Sequence, residues 1–251
     1  MFKDPKDYQV AAFFALVVVF EILERVRPAR EVDRWKDLKI DLLSFSLAVV
    51  LNRISHYWVA GAAKSVAPAF LVGWVTQLQS MHSVPKILLA LLLVDFVIYW
   101  IHRAQHRFDG LWRTHAWHHS IEQLYWFSGF RTSFFHSFLY AIPASAIPIM
   151  LFGLSPLEAG AGYSLALLIQ FWEHTNLRVN VGPLRWLIVT PDYHRVHHAT
   201  AHCRSNYGTT FSLWDRMFRT YTDPATVPMS APLGLGEPVE KKKIPRMLVG
   251  I

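Results

Sequence analysis

Between His102 and His119 the chain reads H-R-A-Q-H and then H-A-W-H-H, which places five imidazoles within eighteen residues. Residues four apart share a face of a helix, so His102 and His106 point together, and the same spacing unites His115, His118 and His119. A second H-x-x-H-H, at His194, His197 and His198, repeats the arrangement far downstream. A neutral imidazole is the commonest side-chain metal ligand. Any fold of this chain therefore has to bring distant segments to one point.

The apolar residues are 53% of the sequence and fall in long runs, as a bilayer protein requires, since a spanning helix needs about 20 mostly apolar residues. The first span is expected from about Val10 to Val26. It follows a mixed-charge start, Lys3-Asp4-Lys6-Asp7, and ends in Glu21, Glu24 and Arg25 without a small-residue cleavage site, so it reads as a permanent span. The charged connector Arg27 to Lys39 reads as amphipathic and interfacial. A second span runs from Ile40 to Ala60, with Asn52, Arg53 and His56 towards its far end. Ala67 to Ser80 is apolar but short, hence interfacial or re-entrant, and a third span runs from near Pro85 into His102.

Residues 107–136 are too polar for lipid. Ser137 to Leu154 and Leu157 to Phe171 form an apolar hairpin about Gly153-Leu154-Ser155-Pro156, a turn signal, and a polar, Pro-rich tail follows from His174. The expected fold is an all-α integral membrane protein: about three full transmembrane helices plus a helical hairpin, with a cytoplasmic histidine-rich helical cap. The stretches are 1–101 for spans and connectors, 102–136 for the first two histidine boxes, 137–173 for the hairpin and 174–251 for the cap, all in one domain.

The formal net charge of +7 does not point to nucleic acid, because the basic residues sit at the ends of apolar runs. If the third span ends in the cytoplasm, fourteen lysines and arginines from Arg25 to Arg204 face it, against Lys3, Lys6, Lys64 and Lys86 opposite. That satisfies the positive-inside rule, and it puts every histidine cluster on one side. The Lys241-Lys242-Lys243 run suits lipid headgroups. The membrane itself is a bacterial inner membrane or the endoplasmic reticulum.

Ten of the thirteen histidines fall in that cytoplasmic layer, at 102, 106, 115, 118, 119, 136, 174, 194, 197 and 198. One ion seldom uses more than six ligands, so this number implies two metals. The single cysteine, Cys203, excludes a thiolate site. Imidazole suits zinc, copper, iron and nickel alike. A dinuclear site at the end of membrane helices suits attack by dioxygen on an unactivated C–H bond of a lipid, and iron is the natural metal for it. The alternatives are a membrane-embedded zinc hydrolase, although no H-E-x-x-H is present, and a non-catalytic metal-binding membrane protein.

Five motifs stand in one order: D-x-x-I-Y-W-x-H-R-x-x-H from Asp95, W-x-x-H-x-x-H-H-S from Trp112, F-W-x-H-T-N from Phe171, T-P-x-x-H-R-V-H-H from Thr190, and N-Y-G-x-x-x-S-x-W-D-R-M-F-R-T-Y from Asn206. Over 85–223 the chain resembles the fatty acid hydroxylase / sterol desaturase superfamily of membrane di-iron histidine-box oxygenases. Q-F-W-E-H-T-N and the third box most resemble its alkylglycerol monooxygenase and bacterial sterol-desaturase-like branch. The resemblance implies two iron ions that use dioxygen and two electrons to hydroxylate or desaturate a fatty acyl, sterol, isoprenoid or ether-lipid chain. The ligands it implies are His102, His106, His115, His118, His119, His194, His197 and His198, with His174 as a further histidine. Many relatives carry R-x-H-P after the second box. Here Ser133 stands at that histidine, and His136 is carried as the candidate in its place. The ends are too short for a fused haem carrier, so electrons come from a separate electron-transfer protein or a diffusible reductant.

Asp95, Glu122, Glu173 and Asp192 are expected to orient ligand imidazoles, which usually donate their other N–H to a carboxylate or carbonyl. The lipid tail is expected to enter between the third span and the hairpin, past Tyr99, Trp100, Phe127, Phe134 and Phe135. His56 and His82 read as interfacial, and His202 with Cys203 as a solvent-exposed loop. Trp214-Asp215-Arg216 and Asn206-Tyr207-Gly208 read as segments folding the tail over the site.

Overall fold

The computed structural model describes residues 5–66 and 72–251. Among these it is helical, with isolated bridges such as Pro28 to Leu177 and Ile188 to Phe211 in place of strands. Lys3 and residues 67–71 of the expected interfacial stretch lie outside the described residues.

Helix α1 spans Pro5–Val26. Its last turns carry carboxylates that bind other segments. Glu24, buried, accepts from the Trp126 amide at 2.9 Å and the Asn176 amide at 2.6 Å, and pairs with Arg34 Nη2 at 2.9 Å. The loops after the second box and after His174 are thereby tied to one helix end.

Helix α2 spans Arg34–Ser65, so the charged stretch Arg34 to Lys39, expected in an interfacial connector, is instead its first turns. The cause is local. The Asp33 side chain accepts from the Trp35 and Lys36 amides at 3.1 and 3.3 Å, an N-cap that starts the helix there. Helix α3, Val72–Gln79, is a short connector.

Helix α4, Ser83–Arg107, carries Pro85 in its first turn and the first histidine box in its last two; short α5, Asp109–Ala116, and a 3₁₀ turn at His118–Ser120 carry the second. Helix α6, Phe134–Ala146, runs on through a π-helical turn at Ile147–Leu151. The chain then reverses where the turn signal predicts it. Gly153 takes φ +54°, and Ser155 and Glu158 form a reciprocal capping box at the start of α7, Pro156–His174. Lys86 of α4 pairs with Glu158 of α7 at 3.0 Å, fastening the helix ends remote from the histidines. Helix α8, Pro191–His198, holds the third box, and the short α9, Leu213–Met217, and α10, Ile244–Val249, complete the chain.

Helix α2 lies along α6, and α4 packs on α5, α6 and α7. Two described helices are long and apolar enough to cross a membrane: α4, with mean hydropathy 2.1, and Phe134–Leu151, with 1.5. Helix α2 does not meet that measure, since it begins with Arg34, Lys36, Asp37, Lys39 and Asp41 and carries Arg53.

Candidate metal centre

Nine histidines converge at the end of this bundle, all buried. His102, His106, His115, His119 and His197 form one group, and His118, His174, His194 and His198 a second. Within each group the ligand nitrogens lie within 4.8 Å of one another. The groups are adjacent: the His119 and His198 rings stack at 4.7 Å. The sequence boxes are not the cages. His118 and His119 are neighbours on a tight turn and diverge into different groups. His194 and His198 share a face of α8, while His197 leaves it for the other.

Backbone carbonyls fix how these rings face. His102 Nδ1 donates to Tyr207 O at 2.8 Å, His118 Nδ1 to Arg131 O at 3.0 Å, His174 Nδ1 to Gln170 O at 2.8 Å and His197 Nδ1 to Ser205 O at 2.8 Å. A carbonyl only accepts, so each Nδ1 holds the proton and each Nε2 presents a bare lone pair. These Nε2 atoms nevertheless face one another: His118 and His174 at 3.2 Å, both with Nδ1 committed. Lone pairs that close repel unless a cation lies between them. Burial, reinforced by neighbouring imidazoles, holds His115, His119, His194, His197 and His198 well below the ordinary histidine range, and burial takes His118 down to about 4. A proton is disfavoured there, so the two groups could hold metal ions.

In the second group the nitrogens close a ring. His118 to His174, His174 to His194, His194 to His198 and His198 to His118 measure 3.2, 3.0, 3.1 and 3.1 Å. The diagonal pairs are further apart, with ring centroids at 6.2 Å for His118 and His194 and 5.6 Å for His174 and His198, against 4.4 to 5.0 Å around the ring. The four nitrogens thus form a closed circuit of short contacts within 4.8 Å of one another.

Of the four carboxylates expected behind the ligands, Glu173 lies there: its oxygens are 3.6 Å from His174 Nδ1 and 3.6 Å from His194 Nδ1, which has no other partner. The other three bind elsewhere. Asp95 accepts from Thr209 Oγ1, the Thr210 and Phe211 amides and Trp214 Nε1, between 2.7 and 3.1 Å. Glu122 pairs with Lys36 at the surface, and Asp192 caps its own helix through Thr190 Oγ1 and the Tyr193 amide.

His136 stands outside both groups. Its Nδ1 is 3.0 Å from His115 Nδ1, the nitrogen facing away from the cage. Ser133 is the N-cap of α6, accepting from the His136 amide at 3.1 Å and donating to Thr114 O at 2.6 Å. The tail folds over the site as expected: Asp215 accepts from the Tyr207 and Gly208 amides at 2.8 and 2.7 Å, which presents the Tyr207 carbonyl to His102. His202 and Cys203 lie on a half-buried loop away from the cages.

Gly129 is needed for space. A Cβ there would lie 2.5 Å from His174 Cγ and 2.9 Å from its Nδ1. Gly129→Ala should therefore displace His174 and weaken metal retention by the four-histidine group about 10- to 100-fold. Competition against a graded chelator measures this, and the five-histidine group should hold its metal unchanged.

A cavity of about 810 Å³ opens from the cages between α2, α4, α6 and α7. The five aromatics expected along a channel lie elsewhere. Tyr99 stacks on Phe218 and bonds Thr220 Oγ1 at 2.8 Å, Trp100 packs edge-on against Phe218, and Phe127 packs on Phe45 and Phe130. Phe134 and Phe135 pack on each other beside α6's start. Helical register is the reason. The face of α4 shared with His102 carries Ile98, Asp95, Val94 and Leu91, at three- and four-residue steps, and these line the cavity. His56, expected at the opposite interface, also lines it, as do Tyr140 and Gln170.

These features define a helical protein with two adjoining imidazole cages at the mouth of an apolar cavity. The fatty acid hydroxylase family model matches residues 87–220, and the chain belongs to that family. It is 40% identical to an alkylglycerol monooxygenase of Xenopus tropicalis over 138 residues, 53% of this chain and 30% of that protein. It is 27% identical to the ornithine lipid hydroxylase OlsE of Rhizobium tropici over 91% of this chain and 71% of the relative. To the Delta(7)-sterol-C5(6)-desaturase of Nicotiana tabacum it is 29% identical, over 74% and 68%. The chain spans about a third of the length of the alkylglycerol monooxygenases it matches. No solved structure matches it.

Proposed function

We propose that the protein is a membrane-bound, non-haem di-iron oxygenase that hydroxylates or desaturates a lipid chain. The observation that carries this reading is the pair of buried cages whose bare Nε2 atoms face one another at the head of an apolar cavity. Nine neutral imidazoles in two adjoining groups suit two ions, and five donors in one group exceed the four of a tetrahedral zinc site. The names of the relatives, a monooxygenase, a lipid hydroxylase and a desaturase, support a lipid substrate.

His102, His106, His115, His119 and His197 would hold one iron, and His118, His174, His194 and His198 the other. Bound iron would supply dioxygen reduction and hydrogen abstraction, with two electrons from a separate protein or reductant. The chain's own residues do the rest. The carbonyls of Tyr207, Arg131, Gln170 and Ser205 keep the Nδ1 protons of His102, His118, His174 and His197, Glu173 stands 3.6 Å from His194 Nδ1, and the His136 ring backs His115. Leu91, Val94, Ala141 and Leu167 line the way to the cages with apolar surface that suits a hydrocarbon chain.

Helices α1 and α2 join α4 and the α6–α7 hairpin in the bilayer, giving the three full spans and hairpin. Val18 and Ile22 on α1 and Leu42, Val50 and Ile54 on α2 stand exposed, as lipid-facing side chains do. Arg103, Arg107 and Arg113 at the cage end support a cytoplasmic orientation of the site by the positive-inside rule.

Incubating the reduced, iron-loaded protein with extracted membrane lipids under isotopically labelled dioxygen tests the reading. One labelled oxygen in a lipid product denotes hydroxylation, and a product two hydrogens lighter without label denotes desaturation. A fully iron-loaded protein that turns over no lipid contradicts it.

A further inference from the structure

The cavity has a second polar end. Its wall on α2 is one helical face, Phe45, Val49, Asn52, Arg53 and His56, at steps of three and four. Phe45 to His56 on α2, Leu91 to His102 on α4 and Tyr163 to His174 on α7 each cover eleven residues of helix, about 16 Å. The cavity therefore runs about half the ~30 Å hydrocarbon core of a bilayer. Between its ends the walls on α2, α4 and α6 are apolar, with Ala48, Leu91, Val94 and Ala141. At the end remote from the cages, His56 Nδ1 meets Ser145 Oγ at 2.6 Å, and the His56 ring stands edge-on to Tyr163 at 6.0 Å.

Asn52 and Arg53 lie beside that pair with no hydrogen-bond or ion-pair partner among the described residues. An arginine within a spanning helix is expensive and normally finds a partner or a water-filled path. Arg53 is exposed and lines the open end of the cavity remote from the cages. The site lies about five residues, or ~7.5 Å, inward of the Lys86–Glu158 pair that joins the same ends of α4 and α7.

We propose that Asn52, Arg53 and His56 form a headgroup site for a single-chain amphiphile with an acidic head, a carboxylate in the first instance, held head-outward. Its tail then points at the cages, and the oxidised carbon is one in the distal part of the chain rather than one beside the head. Arg53 supplies the charge that selects the acid, Asn52 and His56 supply further hydrogen bonds, and the cavity length selects the chain. The specificity of oxidation rests on the function proposed above. Binding does not, because the head site is remote from the iron ligands.

The test separates the two. Binding of hexadecanoic acid and of its methyl ester to the metal-loaded protein in detergent, without reductant so that no turnover occurs, is measured first, for wild type, Arg53→Gln and Arg53→Lys. A charge-assisted hydrogen bond at the head predicts about tenfold tighter binding of the acid than of the ester. Arg53→Gln should abolish the difference, and Arg53→Lys should keep most of it. Equal binding of acid and ester by wild type, or an unchanged preference in Arg53→Gln, overturns the head site whether or not the enzyme turns over. The oxidised position is then read by mass spectrometry on the iron-loaded wild type. Product oxidised in the distal half of the chain supports head-outward binding. Oxidation beside the carboxylate overturns it, and discriminating binding without turnover counts against the oxygenase reading alone.

Discussion

His118→Ala is expected to remove about half of the bound metal and all lipid oxidation, while the protein stays folded. The circuit of His118, His174, His194 and His198 loses one member, and that member touches two neighbours, His174 at 3.2 Å and His198 at 3.1 Å. The remaining three imidazoles no longer enclose an ion, but the cage of five keeps every donor. His197→Ala should do the reverse, because His197 belongs to the group of five, where its Nε2 stands 3.0 Å from that of His119. Both variants should be inactive, since neither retains the pair. Elemental analysis with a spectroscopic count of the metals decides it. Loss of both metals together from each variant would show one shared site rather than two.

Asp95→Ala should be the most destabilising single change in the helical bundle. The buried carboxylate takes four hydrogen bonds from residues 209–214. Removing it strands four donors, two of them in fully buried hydrogen bonds, and costs about 3 to 5 kcal/mol, roughly 10 °C in the midpoint of thermal unfolding for a chain of this size. The damage reaches the metal through the backbone. Residues 209–214 continue directly from the Tyr207-Gly208 turn, and Tyr207 O holds His102 Nδ1 at 2.8 Å. At Gly208 a Cβ would collide with Phe211 O, so that turn has little room to adjust. Asp95→Asn, which retains an acceptor, should lose less. Unfolding midpoint and metal content measured on both variants test this. A midpoint unchanged in Asp95→Ala would refute the anchoring role.

The site was legible in the sequence to the extent that it obeys helical spacing. The pairs at i and i+4, the order of the boxes and the reversal at Gly153 to Pro156 are local chemistry, and all stand in the structure. What the spacing did not reveal is rotation. His118 and His119 serve different cages because a 3₁₀ turn carries them, and no residue type announces that. The anchoring acceptors are the carbonyls of Tyr207, Arg131, Gln170 and Ser205, which every residue possesses, so composition carries no signal of them.

Two expectations failed for reasons that were present in the sequence. Tyr99 and Trp100 sit beside His102 in the chain but off its helical face, whereas Ile98, Asp95 and Leu91 share it. Asp33, a good N-cap, starts α2 ahead of the charges that suggested an interfacial connector. Asp95 followed the rule that an intramembrane carboxylate is functional, yet its partners come from the tail rather than from a histidine. Glu24 was read as the charged flank of a span, and nothing in its neighbourhood indicated that it holds the loops at Trp126 and Asn176.

The central claim is that two cages hold two irons. Metal content of the purified protein tests it most directly, measured after anaerobic loading and removal of loosely bound ions, with the electronic state of the iron read by Mössbauer spectroscopy. The account predicts about two irons per chain, one in each cage. A single zinc per chain, or iron that binds to only one cage, would contradict it.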